Sequence, residues 1–380
     1  MSKNPLQSLA DFDQSVWYDN IQRSMLTNGE LKRMIQQDGL RGMTSNPSIF
    51  EKAIAGSRDY EDSMAKILKT GKDLSSKDIF YLLAIEDIQL AADIFHDTYR
   101  ATKGRDGYIS LEVSPTLAHD AQGTIAEARD LVKRVNRANL MIKVPATIAG
   151  LEAIETLTSE GVNINATLLF SVERYKAVVE AYIKGLEKRR AAGGKIDNIA
   201  SVASFFVSRV DSAVDKILET KIANGGDAAR LKGLLYKAAI SNAKAAYQAY
   251  KDLFNSPRFA ALKQHQAQPQ RLLWASTGVK NPALSDVLYI EELIGAETVS
   301  TIPPATYNAF RDHGKPRASL MENHGEAHRV LEGLAAAGID LKAITDELEA
   351  KGVELFADAF SSLLAAIDNK KASSKRASTA

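Results

Sequence analysis

Short apolar or β-branched runs alternate with longer stretches of helical spacing from one end of the chain to the other. Eight of the short runs read as strands: Ser15–Asn20, Leu40–Ser45, Tyr108–Val113, Leu140–Ala146, Val162–Phe170, Ile199–Val207, Arg271–Thr277 and Thr298–Pro303. Between them the period changes to that of a helix. Leu31, Met34 and Ile35 share one face ahead of Gly39, a predicted C-cap. Thr27 with Glu30, and Ser48 with Glu51, have capping-box spacing and are expected to open helices. Ile125–Val135 and Val172–Leu186 repeat the helical signal, the second with Tyr175, Val178, Val179 and Tyr182 as its stripe. Repeated β/α alternation predicts either a closed barrel or a doubly wound sheet.

Two connections are long, Pro47 to Gly107 and Val210 to Gln270. Both are helix-rich, the first through Ile79–Tyr99, and neither contains a strand pattern of its own. They read as elaborations of one domain. The chain closes with helical Ala327–Leu334 and Leu341–Ile367. No repeat and no Pro- or Ser-rich linker cuts it. Residues 1–369 are therefore expected to form a single domain, and Lys370–Ala380, rich in Lys, Ser and Ala, a solvated tail.

Strands of a parallel barrel are buried on both faces and should be apolar almost throughout. Several of these carry a polar residue late in the run: Asp19, Glu112, Lys143, Asn165, Thr167 and Ser204. Barrel active sites gather at the C-terminal strand ends, so this placement predicts a shared mouth. Lys143, between Ile142 and Val144, is the sharpest signal, because a charged amine is costly to bury there. A desolvated lysine can attack a carbonyl; equally, Lys143 can reach water from a strand end or pair with Glu112. Asp19 and Glu112 offer proton transfer, or alternatively a buried ion pair or a helix cap. Thr167, Asn165 and Ser204 suit either substrate contacts or strand-end hydrogen bonds.

Cations and open backbone amides read phosphate. Arg209 heads the helix after the sixth strand, where Asp211 is an alternative partner. Ser276, Thr277, Gly278 and Lys280 follow the seventh, ahead of Pro282, which is expected to open a helix. His324 and His328 stand four apart with Glu326 between them. Glu326 is misplaced for a His-Glu-x-x-His zinc site, so a solvated helix is the simpler reading. Trp17 and Trp274 read as core or pocket wall.

Composition narrows the classes. The 380 residues include 48 Lys+Arg against 47 Asp+Glu, which argues against a broadly basic nucleic-acid face. A hydrophobic share of 45% can build a sizeable core. With no Cys there is no thiol nucleophile, disulfide, thiolate zinc site or cysteine-held iron–sulfur cluster. No glycine-rich nucleotide loop is present. No apolar run is long enough to span a bilayer, and Met1 to Ser15 is polar, unlike a secretory leader. A cytoplasmic protein with no membrane partner is expected.

The motifs also resemble a known family. Gly42-Met43-Thr44-Ser45-Asn46-Pro47-Ser48-Ile49-Phe50 resembles the first signature of the transaldolases. Leu140-Met141-Ile142-Lys143-Val144-Pro145-Ala146-Thr147, running into Gly150-Leu151, resembles their Schiff-base lysine signature. Trp17-Tyr18-Asp19, Leu111-Glu112-Val113, Asn165 to Ser171 and Ser204 to Arg209 look like further family blocks in the same order. The likeness runs from about Leu9 to Ile367, and the Trp274–Lys280 block points to the longer bacterial and plant-type subgroup.

The resemblance implies a (β/α)8 TIM barrel with additional helices in the connections and at the C-terminus. It implies a pentose phosphate pathway transferase that moves a dihydroxyacetone unit from sedoheptulose 7-phosphate or fructose 6-phosphate to glyceraldehyde 3-phosphate or erythrose 4-phosphate. Carried over, Lys143 is the Schiff-base nucleophile and Asp19 the base for carbon–carbon cleavage. Glu112 shuttles protons through a water held by Thr167. Asn46, Thr44 and Ser204 hold the dihydroxyacetone hydroxyls, while Arg209, with Ser276 and Lys280, meets the phosphate. No metal or organic cofactor is implied. Many transaldolases place an Arg in the block where this chain has Gly278-Val279-Lys280; Lys280 supplies charge without a planar fork. The competing expectations are a Schiff-base aldolase that releases free dihydroxyacetone, and a non-catalytic sugar-phosphate-binding barrel. The preferred sugar, the oligomeric state and regulation are not legible.

Overall fold

The computed structural model describes residues 3–70 and 73–377. Eight strands, β1 (Gln14–Asp19), β2 (Gly42–Thr44), β3 (Tyr108–Glu112), β4 (Leu140–Pro145), β5 (Ile164–Leu169), β6 (Ser201–Phe206), β7 (Arg271–Ala275) and β8 (Thr298–Ile302), pair in sequence order into a closed barrel. All neighbours are parallel, and β8 returns to β1 with Gln14 opposite Thr298 and Tyr18 opposite Ile302. That last pairing decides the architecture, since a doubly wound sheet would leave β1 and β8 apart. Each strand falls within or beside a predicted run. Every strand residue is buried except Asp19, at the open C-terminal end of β1.

The two barrel ends differ chemically. Near the N-terminal end, Arg271 Nη2 donates to Asp106 Oδ1 at 3.0 Å and its Nη1 to Ser15 Oγ at 2.8 Å. Ser15 Oγ in turn donates to Asp106 Oδ2 at 2.8 Å. Trp17 stacks above, fully buried, its Nε1 donating to Asp106 Oδ1 at 3.3 Å. This network is satisfied within the protein and plugs the end of the barrel that barrel enzymes use for stability. Gly42 belongs to the same packing: a Cβ there would lie 2.5 Å from the Trp17 indole.

Both predicted capping boxes are displaced. The helix Glu30–Asp38 is capped by Gly29 at φ 85°, and Asn28 Oδ1 accepts from Glu30 N at 2.8 Å. Thr27 instead ends the preceding turn of helix, its hydroxyl donating to Arg23 O. At the next helix, Pro47–Gly56, Asn46 is the N-cap and accepts from Ile49 N at 3.0 Å, with Pro47 first in the helix. Ser48 and Glu51 lie inside it. Pro at N1 with Asn before it prevails because Pro has no N–H to lose and its φ is already helical. Gly39 closes its helix as expected, left-handed at φ 71°.

The first long connection holds the helices Pro47–Gly56, Glu61–Lys69 and Ser76–Ala101. The second holds Ser208–Ala223, Ala228–Lys232, Ala238–Phe254 and Pro257–Lys263. Among the described residues neither contains a strand. Pro282 sits in a turn rather than at a helix start; among the described residues the helix between β7 and β8 is the short Leu288–Glu291.

The last element of the described residues is one long helix, Leu341–Ala377. It is anchored along its length. Glu349 takes a two-pronged pair from Arg174 at 2.9 and 3.2 Å. Gly352 meets Leu168, where a Cβ would lie 3.0 Å from Cδ2. The Phe360 ring meets Phe80 edge-on at 5.5 Å. Lys370 Nζ donates to Ile54 O at 2.7 Å, and Lys371 Nζ to Leu74 O at 2.7 Å. Both lysines stand in the segment expected as a tail, of which residues 378–380 lie outside the described residues. Among the described residues no helix is long and apolar enough to cross a membrane.

Candidate active site

Strand register brings the polar residues of the strand ends together. Glu112 is opposite Lys143 across β3 and β4, and Lys143 is opposite Asn165 across β4 and β5. Lys143 is buried. Its Nζ donates to Ser45 O at 3.2 Å and lies 3.4 Å from Glu112 Oε2. Glu112 is equally buried, and burial pushes its carboxyl up to about 7 against the pull of Lys143. The pairing anticipated as a structural alternative for Lys143 is therefore real. It does not remove Lys143 from the mouth, because the amine still lines the cavity there.

On the neighbouring arc, Thr44 Oγ1 donates to Asp19 Oδ1 at 2.6 Å and lies 2.7 Å from Thr301 Oγ1. This cluster orients Asp19, which faces the cavity. Ser204 Oγ donates to Asn165 Oδ1 at 2.7 Å, and Asn165 Nδ2 donates to Ser110 Oγ at 3.0 Å. Asn165 thus acts as the support and Ser204 as the cavity-facing group. β5 breaks register between Ala166 and Leu169, with Leu168 left-handed at φ 62°. Such a bulge re-aims neighbouring side chains. Thr167 lines the cavity beside it, its hydroxyl buried and without a hydrogen-bond partner among the described residues. Neither Glu112 oxygen makes a hydrogen bond there either.

The cavity has a volume of about 400 Å³. Asp19, Thr44, Asn46, Lys143, Thr167, Ser204, Arg209, Ser276 and Lys280 all line it; Glu112, paired with Lys143, does not. Asn46 spends its Oδ1 on the helix cap and retains its amide N–H groups for a ligand. Arg209 lies on the first turn of the helix Ser208–Ala223, its guanidinium 5.4 Å from the centre of the Phe206 ring. Burial pulls it below its usual value and Asp19 pulls it back. Asp211 is not its partner: that carboxylate accepts from Ala239 N at 2.7 Å and from the Tyr289 hydroxyl at 2.8 Å. Ser276, left-handed at φ 55°, sets its Oγ 3.0 Å from Ser208 Oγ. Ser276 and Lys280 reach the cavity from a loop, without the helix N-terminus expected after Pro282.

Lys52, Thr301 and Phe356 are among the lining residues that escaped the sequence reading. Lys52 shares a face of the helix Pro47–Gly56 with Ser48 and Ile49, a spacing that could have shown it. Thr301 is a polar residue inside β8, the same signal that exposed the others. Phe356 comes from the C-terminal helix, and its ring centre lies 5.6 Å from Lys143 Nζ. Among the described residues Arg209, Lys52 and Lys280 have no ion-pair partner, so three cations face the cavity uncommitted. His324 and His328 lie on the helix His324–Ala336, off this cavity, with His328 Nε2 3.1 Å from Glu332.

Fold and mouth together define a (β/α)8-barrel protein with a buried lysine at an anion-ready site. The profile of the Transaldolase/Fructose-6-phosphate aldolase family matches residues 16–367, and the chain belongs to that family. It is 44% identical over 376 residues to "Transaldolase 2" of Nostoc sp., covering 97% of this chain and 98% of that protein. It is 45% identical over 375 residues to a "Transaldolase" of Trichodesmium erythraeum, with the same coverage. A "Transaldolase" of Neisseria gonorrhoeae is 46% identical over 360 residues, 95% of this chain and 98% of that protein.

Proposed function

We propose that this protein is a transaldolase, a transferase that carries a dihydroxyacetone unit between sugar phosphates on Lys143. The observation that carries the reading is a buried lysine, 3.4 Å from a buried carboxylate, on the wall of a cavity with three uncommitted cations. The donor is a ketose phosphate such as sedoheptulose 7-phosphate or fructose 6-phosphate, and the acceptor an aldose phosphate such as glyceraldehyde 3-phosphate or erythrose 4-phosphate. This is chemistry of the pentose phosphate pathway, and the cytoplasm suits it.

Lys143 Nζ attacks the ketone, and water leaves as the imine forms. Glu112, held near neutrality by burial, gives and takes the protons of that step through a water on Thr167. The unpartnered Thr167 and Glu112 oxygens support such a bridge. Asp19, oriented by Thr44, takes the hydroxyl proton as the carbon–carbon bond breaks. The protonated imine accepts the electron pair, so the scheme calls on no metal or organic cofactor. Asn46, Thr44 and Ser204 hold the hydroxyls of the bound unit. Arg209 meets the phosphate, with Lys280, Ser276 and Lys52 around it.

Borohydride trapping with fructose 6-phosphate, followed by peptide mapping, tests this directly. The expected result is a reduced adduct on Lys143; its absence would defeat any Schiff-base reading and leave a non-catalytic sugar-phosphate-binding barrel. The aldolase in the family's name is distinguished by acceptor dependence. Cleavage of fructose 6-phosphate at the same rate with and without erythrose 4-phosphate would favour release over transfer.

A further inference from the structure

The two activities in the family name share the step that makes the enamine and differ in its fate. Transfer needs the enamine carbon to wait for an aldehyde. Release needs that carbon to take a proton and the resulting iminium to take water. Whatever stands beside the adduct and cannot supply either one favours transfer.

Phe356 occupies that place. It lines the same cavity wall as Lys143, is itself buried, and holds its ring centre 5.6 Å from Nζ. Nζ also has two polar partners, Glu112 Oε2 at 3.4 Å and Ser45 O at 3.2 Å. Because Lys143 and Phe356 line the same cavity, an adduct on Nζ would occupy space that the ring borders. The ring gives no proton to carbon and holds no water by hydrogen bonding. Its ammonium contact also favours a cationic nitrogen, whether lysine or protonated imine.

The position of the ring is built into the fold. Gly352, one turn earlier, lets the C-terminal helix approach the bulge of β5 at Leu168, next to Thr167. Phe360, one turn later, locks onto Phe80. Gly352, Phe356 and Phe360 are spaced by four and share a helix face. The Arg174–Glu349 pair and the Lys370 contacts hold the helix on either side.

We infer that Phe356 is a shielding residue that keeps solvent from the enamine on Lys143 and so sets the partition between transfer and release. The inference rests on the transaldolase reading above. In the release branch the enamine carbon gains one proton, balancing the one removed from the donor hydroxyl. One water then adds at the imine carbon as Nζ leaves, replacing the water lost when the imine formed. The products are free dihydroxyacetone and the aldose phosphate, with no net consumption of water.

The test measures dihydroxyacetone released from fructose 6-phosphate without acceptor, as a ratio to transfer with erythrose 4-phosphate. Native protein, Phe356→Ala and Phe356→Leu are compared, each with borohydride trapping on Lys143. Phe356→Ala is expected to raise the ratio about tenfold, and Phe356→Leu, which stays apolar but covers less, about threefold. An unchanged ratio in a folded Ala variant that still traps on Lys143 would overturn the inference. If the Ala variant does not fold, an unchanged ratio in the Leu variant overturns it instead. Failure of the native protein to trap is a different result, striking the transaldolase reading itself.

Discussion

Lys143 Nζ stands 3.4 Å from Glu112 Oε2, with 5% and 3% of the two side chains exposed. A charged pair so deeply buried is an expensive way to hold two strands together, since apolar residues of similar size often serve as well. Its position at the cavity gives it another use. The carboxyl is raised to about 7, where it can act as acid and base in turn.

Glu112→Gln tests that use. As the acid, Glu112 must be protonated to help the carbinolamine lose water, so imine formation in the native protein falls as pH rises through about 7. In the Gln variant that inflection disappears, and imine formation slows about 100-fold. Rapid-quench borohydride trapping across pH 5 to 9, on the order of two units either side of that midpoint, reads both effects.

Asp19→Asn separates bond cleavage from imine formation. Thr44 still has an oxygen to donate to, so the local geometry survives. Turnover is expected to fall about 10²- to 10⁴-fold while the trapped adduct on Lys143 persists. Loss of the adduct together with turnover would give Asp19 an earlier role.

Arg209→Ala removes a guanidinium that has no carboxylate partner among the described residues. KM for the ketose phosphate should rise about 10- to 100-fold with kcat little changed, from the roughly 1.5–3 kcal/mol of a hydrogen bond to a charged group. Lys52→Ala should act in the same direction and more weakly, because its flexible ammonium is exposed. An unchanged KM in Arg209→Ala would move the phosphate elsewhere.

Asp215 offers a pH test of stability away from the mouth. Burial raises it from its ordinary 3.8 to about 7, partly offset by the Tyr236 N–H that donates to its Oδ1 at 3.0 Å. Between those two values the folded protein binds the extra proton, so stability falls as pH rises through the window. Asp215→Asn keeps an oxygen for Tyr236 and removes the charge. It should raise stability by about 1 kcal/mol at pH 8, after allowing for solvent screening, and by nothing near pH 4. Urea denaturation at both values measures it.

Much of this protein was legible along the chain. Strands buried on both faces must be apolar, so Asp19, Glu112, Lys143, Thr167 and Ser204 stood out as exceptions, each near a strand's C-terminal end. Local helix chemistry was legible less well. Asn46 and Asn28 took the capping work from Ser48 and Thr27, because which oxygen reaches a free N–H depends on backbone angles that spacing does not specify. Pro282 marked a turn, since Pro starts turns as readily as helices.

What the linear sequence determined by itself was an order of elements and a set of misplaced polar residues, because periodicity and burial cost are local properties. Only the tertiary structure decided which residues meet. Closure of β8 onto β1 carried Thr301 to Thr44 and Asp19. Register between β3 and β4 set Glu112 against Lys143. A glycine-to-leucine contact let a helix more than 200 residues downstream place Phe356 beside Lys143. Those relationships depend on how whole elements pack, and packing is a property of surfaces that come together only when the chain has folded.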